Sequence, residues 1–168
     1  MIDEKAQKRI DNYEMYLQHE EKYQFPTFSR EDVWDLACDV MESNKDFPKQ
    51  VAIEIYIGNV MMFRYFPGRC GTLQEMWLQR KRNTVLALGK SSVLAAAQMA
   101  MQEKTPADLV PGFPNPDDYA VCGGGFPLRT KDGNIFGTVC VSGLPDVVDH
   151  EVIIGGLDRF FRKRGWLE

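Results

Sequence analysis

One segment in the first half of the chain predicts a β-hairpin and thereby limits the folds available to the rest. Val51–Ile57 alternates with a period of two, Gly58-Asn59 is a two-residue turn sequence, and Val60–Phe66 predicts the returning strand. Pairing across this turn predicts three facing pairs: Ile57 with Val60, Ile55 with Met62, and Ile53 with Arg64. Both faces of the hairpin are largely apolar, so helices or another subunit must cover both sides.

Helix and strand signals elsewhere in the chain predict an α+β domain. The other predicted elements, in chain order, are a mostly polar helical arm over Met1–Tyr23, a helix opening at Ser29, a helix from the capping box Thr72-Leu-Gln-Glu75 to Gly89, a helix over Ser92–Gln102, a proline-rich connection over Thr105–Asp118, strands over Tyr119–Arg129 and Ile135–Ser142, and a helix from near Asp149 to Gly165. This order is close to ααββααβββα, which is typical of an antiparallel sheet with helices outside its central run.

Length and charge exclude several classes of protein. A chain of 168 residues favours a single domain with a substantial core. The formal net charge of −4 argues against nucleic acid and anionic membranes as partners, because both require a basic field. The longest apolar runs are too short to span a membrane, and the charged N-terminus carries no secretory signal. We therefore expect a cytoplasmic protein with no nucleic-acid or membrane partner.

The cysteines and histidines argue against a metal centre. The four cysteines, at positions 38, 70, 122 and 140, form no Cys-x-x-Cys pair, and the chain has two histidines. Zinc and iron–sulfur ligand spacings are therefore absent from the sequence. We expect no metal site and four free thiols in a reducing compartment. A conventional metal-dependent hydrolase or oxidoreductase is disfavoured on the same grounds.

The helix after Thr72 carries two cations beside an apolar stripe. The stripe consists of Leu73, Trp77, Thr84 and Leu88, with Arg80 and Lys81 on either side of it and Arg82 pointing away. A cation at the edge of such a stripe must reach solvent or find an anionic partner. Two interpretations stay open: an ion pair with a carboxylate such as Glu54 or Asp149, or a basic lip that binds an anionic ligand.

Three further features are candidates for a site. Gly123-Gly124-Gly125 interrupts a predicted strand, which marks either close backbone packing or the wall of a ligand site. His150 begins the apolar face of the last helix, where the positive end of the helix dipole favours neutral imidazole, and its role is either structural or ligand-binding. Asp149 is the predicted N-cap of that helix. Ser142 lacks a Gly-x-Ser-x-Gly elbow, and His19 lies on the polar arm without a comparable argument.

Several ordered motifs resemble a known family. The motifs are Trp77–Val85, Gly89–Ser92, Tyr119–Leu128, Gly137–Leu144 and Asp149–Glu151, and they are similar to uncharacterised protein family 0303, within the haem-degrading-domain family of GlcG and HbpS relatives. The resemblance spans about Ser29 to Phe161. It implies a profilin-like α/β/α sandwich whose central antiparallel sheet has about five strands with helices on both faces. It also implies a homo-oligomer and makes haem a possible cofactor. We expect residues 1–28 to form a helical arm and residues 29–168 to form the family domain.

Two hypotheses for function follow. The first is an oligomeric domain, resembling haem-binding and haem-degrading proteins, that binds a small anionic ligand. The candidate ligand-binding residues are Trp77, Arg80, Lys81, Gly123, Gly124, Gly125, Ser142 and His150. The alternative is a non-enzymatic oligomeric scaffold or protein-interaction module, in which the same cations form ion pairs. Neither hypothesis assigns a catalytic residue.

Overall fold

The computed structural model of the protein describes residues 3–109 and 115–168. The helices within these residues are α1 Glu4–Asp11, α2 Tyr13–Lys22, α3 Asp32–Asn44, α4 Thr72–Leu88, α5 Ser92–Met101, α6 Pro106–Leu109 and α7 Asp146–Lys163. The strands are β1 Gln24–Phe25, β2 Ala52–Ile57, β3 Val60–Tyr65, β4 Gly125–Thr130 and β5 Ile135–Ser142. A short 3-10 turn at Pro116–Asp118 follows the centre of the proline-rich connection, and residues 110–114 of that connection lie outside the described residues.

The strands form one five-stranded sheet in the order β1-β4-β5-β2-β3. The pairs β4–β5, β5–β2 and β2–β3 are all antiparallel. Strand β1 is parallel to β4 and pairs Gln24 with Arg129 and Phe25 with Thr130. The predicted α+β class and the sheet of about five strands are confirmed. The sequence did not predict the parallel edge strand β1, because a strand of two residues carries no alternation pattern.

The β2–β3 hairpin has the predicted turn but a different register beyond it. Ile57 faces Val60 as predicted, and a β-bulge between Ile55 and Tyr56 then shifts the pairing by one residue. Two of the three predicted pairs are therefore wrong, because Ile55 faces Phe63 and Ile53 faces Tyr65. The shift places Arg64 opposite Glu54, so that two opposite charges face each other where the simple register would pair a cation with isoleucine.

Helices cover both faces of the sheet, as the hairpin predicts. Helices α3 and α7 pack over the face that carries Ile53, Ile55, Val139 and Val141, and this side contains the main core. Helix α4 packs over the other face, where Leu78 is buried against Ala52 and Cys140. The outer edge of the sheet is less covered, since Val60, Met61 and Tyr65 of β3 are exposed.

Several predicted boundaries differ from the observed ones. Helix α3 begins at Asp32, whose carboxylate accepts the Ser29 N–H at 2.7 Å, so the helix opens after the predicted start. Helix α4 begins at Thr72, but Gly71 is its N-cap and donates its N–H to Gln74 Oε1 at 2.9 Å, so Thr72 is not the capping residue. Gly89 ends α4 as predicted, with φ +64°.

The region preceding β4 is not strand. The sequence predicts residues 119–124 as the first half of this strand, but the Ala120 N–H donates to the Arg80 carbonyl at 3.2 Å and to Thr84 Oγ1 at 3.0 Å. The start of this segment is therefore bonded to helix α4, and only Gly124, whose carbonyl accepts the Val141 N–H at 2.8 Å, is bonded to β5. The path of the segment along α4 brings the chain to the sheet at Gly125, where β4 begins.

The N-terminal helices pack on this chain's own domain. Tyr16 of α2 is 2% exposed and contacts a small cluster with Val93, Leu94 and Ala97 of α5. Phe25 of β1 is fully buried in the main core. Among the described residues no single helix is long and apolar enough to cross a membrane, although α4 and α5, bent by 69°, together meet the requirements of length and composition.

Candidate functional site

A cavity of about 470 Å³ lies between α4, residues 119–122, and the start of α7. Four of the predicted ligand-binding residues line it: Trp77, Arg80 and Lys81 from α4, and Ser142 from the end of β5. Its volume is within the range of small-molecule sites. Gly123, Gly124, Gly125 and His150, the other four predicted residues, lie outside its wall.

Arg80 lines this cavity and has no carboxylate partner among the described residues. Its Nη2 donates to the Tyr119 carbonyl at 3.0 Å, and its guanidinium lies 4.6 Å from the centre of the Trp77 ring. Its Nε is buried and has no hydrogen-bond partner among the described residues. Within the same part of the chain no carboxylate lies within 4.0 Å of the guanidinium. Arg80 therefore retains hydrogen-bonding capacity and charge for an anion.

Lys81 is engaged by the protein itself. Its Nζ donates to Asp149 Oδ2 at 2.8 Å and to the Val141 carbonyl at 2.9 Å, and its side chain is 3% exposed. Asp149 in turn accepts the Leu144 N–H at 3.0 Å. Burial raises the pKa of Asp149, and the Lys81 charge opposes that rise. The ion pair that the sequence offered as one interpretation is thus formed by Lys81 with Asp149.

This pair also corrects the prediction for Asp149. Helix α7 begins at Asp146, one turn earlier than predicted, and Pro145 occupies the N-cap position. Asp149 is consequently a residue of the first turn and not the N-cap, and its carboxylate bonds to Lys81 and to the Leu144 backbone. The sequence places an acidic residue correctly near the helix start, but the helix boundary is the least certain part of such a prediction.

Arg82, which points away from the apolar stripe, has a buried partner on the sheet. Its Nη1 donates to Glu54, and its guanidinium lies 4.0 Å from the centre of the Tyr56 ring. Arg64 donates its Nε to the same carboxylate at 3.0 Å and its Nη1 to Glu75 at 2.7 Å. Glu54 is 1% exposed, so two guanidinium groups compensate one buried carboxylate.

The three glycines allow the chain to pass between helices α4 and α7. A Cβ at Gly124, which has φ +111°, would lie 2.6 Å from both Lys81 Nζ and the Val141 carbonyl. A Cβ at Gly125 would lie 2.9 Å from Val85 Cγ2. Close packing against protein atoms therefore explains these glycines, and their part in ligand binding stays a prediction.

His150 lies in the interior, against helix α2. It is fully buried, its Nε2 lies 3.0 Å from His19 Nδ1, and its ring makes an edge contact with Tyr16 at 5.3 Å. Burial lowers the pKa of His150 to about 3, so the imidazole is neutral. Its Nδ1 has no hydrogen-bond partner among the described residues.

His19 is a residue that the sequence analysis missed. It is the hydrogen-bond partner of His150, and burial followed by the nearby Lys22 charge lowers the pKa of His19. Tyr16, His19 and Tyr23 recur at spacings of three and four residues, and this pattern was the available signal. Two neutral imidazoles in contact can share one hydrogen, donated by one ring and accepted by the other.

Helix α1 supplies cations that the sequence analysis also missed. Lys5 lines the cavity and its Nζ lies 3.3 Å from Asp146 Oδ1. Arg9 donates its Nη2 at 2.7 Å and its Nε at 3.1 Å to Asp146 Oδ2. Burial would raise the pKa of Asp146, but Arg9 and the Gly123 N–H bring it below its usual value. Arg9 and Asp146 are 137 positions apart, and nothing local in the sequence links them.

The described residues offer little to a metal ion. No group of three or more histidine, cysteine, aspartate or glutamate side chains is arranged to hold one within residues 3–109 and 115–168. Cys38, Cys70, Cys122 and Cys140 are all free. Cys122 lines the cavity, and burial raises the pKa of its thiol, which disfavours the thiolate.

Comparisons with known proteins agree on one family. A family model described as "Haem degrading protein HbpS-like" matches residues 28–158. A UPF0303 protein of Yersinia enterocolitica is 37% identical over 144 residues, which cover 85% of this chain and 84% of the relative. A UPF0303 protein of Psychromonas ingrahamii is 34% identical over 141 residues, which cover 84% of this chain and 87% of the relative.

Solved structures support the same fold. The crystal structure of Ybr137w protein superposes with a TM-score of 0.78 and 25% identity, covering 98% of each chain. The crystal structure of HbpS gives a TM-score of 0.60 at 18% identity and covers 81% of this chain and 92% of that one. The crystal structure of a PduOC:Heme complex also gives 0.60, at 16% identity, and covers 79% of this chain and 94% of that one.

Proposed function

This chain belongs to the HbpS-like haem-degrading family, and from that premise we propose that it binds a small anionic molecule in the cavity beside Trp77 and Arg80. The observation that carries the proposal is the Arg80 side chain. It lies against Trp77, lines a cavity of about 470 Å³, and has no carboxylate partner within the described residues. A guanidinium against an aromatic ring suits a ligand that combines a carboxylate with a planar apolar part.

Haem is the ligand named in the family description and in the name of one structural neighbour, the PduOC:Heme complex, and the described wall of the cavity offers haem iron neither a histidine nor a favoured thiolate. The described residues that line the cavity include no histidine. His150 is buried elsewhere, with its Nε2 against His19. Cys122 is at the wall, but its raised pKa disfavours the thiolate that iron requires. The polar groups present favour a carboxylate, and we derive no reaction from haem at this site.

Calorimetric titration of the full chain with benzoate tests the proposal. Benzoate carries one carboxylate on one aromatic ring, so it presents the two features that Arg80 and Trp77 suit. We expect saturable binding, and we expect Arg80→Met to weaken it by about tenfold or more, since a charge-assisted hydrogen bond is removed. Arg159→Met is the matched control, because Arg159 is a half-exposed α7 arginine whose partner is the exposed Asp46.

Two results would contradict the proposal. One is unchanged benzoate affinity in Arg80→Met, which would separate binding from this cavity. The other concerns haem, whose titration is followed by absorbance. The wild-type chain could form an iron-ligated haem complex that a cavity variant such as Cys122→Ala loses, and fail to bind benzoate. In that case the cavity is a haem site and not an anion site.

The alternative function is an oligomeric scaffold, and a specific surface favours it. Helix α4 exposes Leu73 and Met76, which are 61% and 56% exposed, and Leu73 also lines the cavity. The edge strand β3 exposes three further apolar side chains. A homo-oligomer that covers these groups would lose mass in light scattering when Leu73 and Met76 are both changed to glutamate. Glutamate at Met101, also exposed but on α5, is the matched control. The predicted cytoplasmic location stays a prediction.

A further inference from the structure

Cationic side chains outnumber carboxylates among the described residues that line the cavity. Its charged lining residues are Lys5, Arg80, Lys81, Asp146 and Asp149. Lys81 and Asp149 are paired at 2.8 Å and neutralise each other. Residues 110–114, outside the described part of the chain, contain no ionisable side chain in the sequence. Three groups are left to consider: two cations, Lys5 and Arg80, and one carboxylate, Asp146.

Asp146 is already neutralised from behind the wall. Arg9 donates two N–H groups to its Oδ2, at 2.7 and 3.1 Å, and the Gly123 N–H approaches the same oxygen at 3.3 Å. The Arg9 side chain is 12% exposed, so this pair is partly shielded from water. Lys5 lies 3.3 Å from the other oxygen, but it makes no hydrogen bond there and its side chain is 61% exposed. Arg9 thus compensates the charge of the carboxylate through Oδ2, while Oδ1 has no hydrogen bond among the described residues. Lys5, which lies near Oδ1 and is mostly exposed, is free to turn towards a ligand.

On this charge distribution, and resting on the proposed function, we propose that helix α1 makes the cavity a site for small aromatic dianions, in which Arg80 binds one carboxylate and Lys5 the other. Lys5, Arg9 and Arg80 together exceed the single Asp146 carboxylate by two positive charges, and this excess favours two negative charges over one. The Trp77 ring, next to Arg80, supplies an apolar surface for the aromatic part of the ligand. Arg9 is a positioning residue: it holds α1 on Asp146 and compensates the charge of that carboxylate, so that Lys5 is not its only cation.

The two cations come from different parts of the chain. Arg80 lies within residues 28–158, which the family model matches, whereas Lys5 and Arg9 precede them. The preference for a second charge therefore depends on residues before position 28, whereas the other residues that line the cavity lie within the matched range. Removing the Lys5 charge should leave a site for monoanions.

Calorimetry with benzoate and terephthalate separates these contributions, because the two probes differ by one carboxylate on the same ring. We expect the wild-type chain to bind terephthalate about fivefold more tightly than benzoate, the size of a partly exposed ion pair. Lys5→Met should abolish this preference, because it should weaken terephthalate binding more than benzoate binding. Lys8→Met, on the same helix but away from the cavity wall, is the matched control and should retain the preference. The preference should also shrink as sodium chloride is added.

The outcomes separate the dianion proposal from the proposed function. Benzoate binding that depends on Arg80, without a preference for terephthalate, would overturn the dianion site alone. A preference that persists in Lys5→Met would do the same. Failure of the wild-type chain to bind either probe would overturn both. Arg9→Met gives an independent readout, because the freed Asp146 should compete for Lys5 and reduce the terephthalate preference while benzoate binding remains.

Discussion

Lys81 and Asp149 form an ion pair in the interior, with Nζ 2.8 Å from Oδ2 and both side chains nearly inaccessible to water. Lys81 belongs to α4 and Asp149 to α7, and these helices cover opposite faces of the sheet. The two side chains meet beside Gly124, where the backbone has no Cβ to separate them. The pair therefore connects the two helical layers directly at the point where the chain enters β4.

Removing one member of this pair should be strongly destabilising. Lys81→Met leaves the Asp149 carboxylate buried without its cation, and we expect the free energy of unfolding at pH 7 to fall by about 3–5 kcal/mol. The double variant Lys81→Met/Asp149→Leu removes both charges and should recover at least half of the loss. Urea denaturation followed by circular dichroism measures both values. A loss below about 1 kcal/mol in the single variant would contradict the buried ion pair.

Gly124→Ala should destabilise the protein through crowding as well as backbone strain. The new Cβ would lie 2.6 Å from Lys81 Nζ and from the Val141 carbonyl, at φ +111°. Gly133→Ala is the control, since Gly133 has φ +88° and a methyl group there would meet no packed neighbour within 4 Å. We expect about 1 kcal/mol for the control, from strain alone, and at least about 3 kcal/mol for Gly124→Ala. Equal losses in urea denaturation would show that crowding at Gly124 is unimportant.

Loss of the Glu54 charge should lower the free energy of unfolding more than loss of the Glu75 charge, although both carboxylates bind Arg64. Glu54 is buried and also accepts from Arg82, whereas the side chain of Glu75 is 39% exposed. Glu54→Gln leaves Arg82 without a countercharge and Arg64 with Glu75 alone, and it should lower the free energy of unfolding by about 2–3 kcal/mol. Glu75→Gln removes a surface pair and should cost less than about 1 kcal/mol. Similar losses for the two variants would contradict this difference.

Mild acid should destabilise the protein through His150. The folded pKa of about 3 lies below the ordinary value of 6.5, so below pH 6.5 the unfolded chain takes up a proton that the folded chain does not. Stability present above pH 6.5 is therefore lost as the pH falls towards 3. Between about pH 7 and pH 5 we expect the wild-type chain to lose about 2 kcal/mol more than His150→Asn. Equal losses in urea denaturation would indicate that His150 is protonated in the folded protein.

The sheet of about five strands was implied by the family resemblance, because the residue patterns did not reveal β1. The sequence by itself was sufficient for the hairpin turn and the end of α4. These features depend on local chemistry: Gly58 and Gly89 both adopt positive φ, and alternating apolar residues define a strand. The bulge at Ile55/Tyr56 was not predictable, because one inserted residue leaves the alternation nearly intact. It nevertheless decides that Arg64 faces Glu54.

The candidate site was predictable only in part. Trp77 and Arg80 share one helix, so their proximity follows from helical spacing. The partners of His150 and Asp146 could not be found in this way, since His19 and Arg9 are 131 and 137 positions away. Three glycines in a strand were also ambiguous, because packing against a helix and packing against a ligand leave the same signature in a sequence.

The short strand β1 has a consequence for how the protein is made. Phe25 pairs in parallel with Thr130, so the first strand to leave the ribosome has its partner 105 positions later. At synthesis rates of about 5–20 residues per second, that partner follows roughly 5–20 s afterwards. During this interval the backbone of β1 has no native strand to pair with, although Phe25 is buried in the finished protein. Strand β1 is thus translated first but joins the sheet only after β4 has been made.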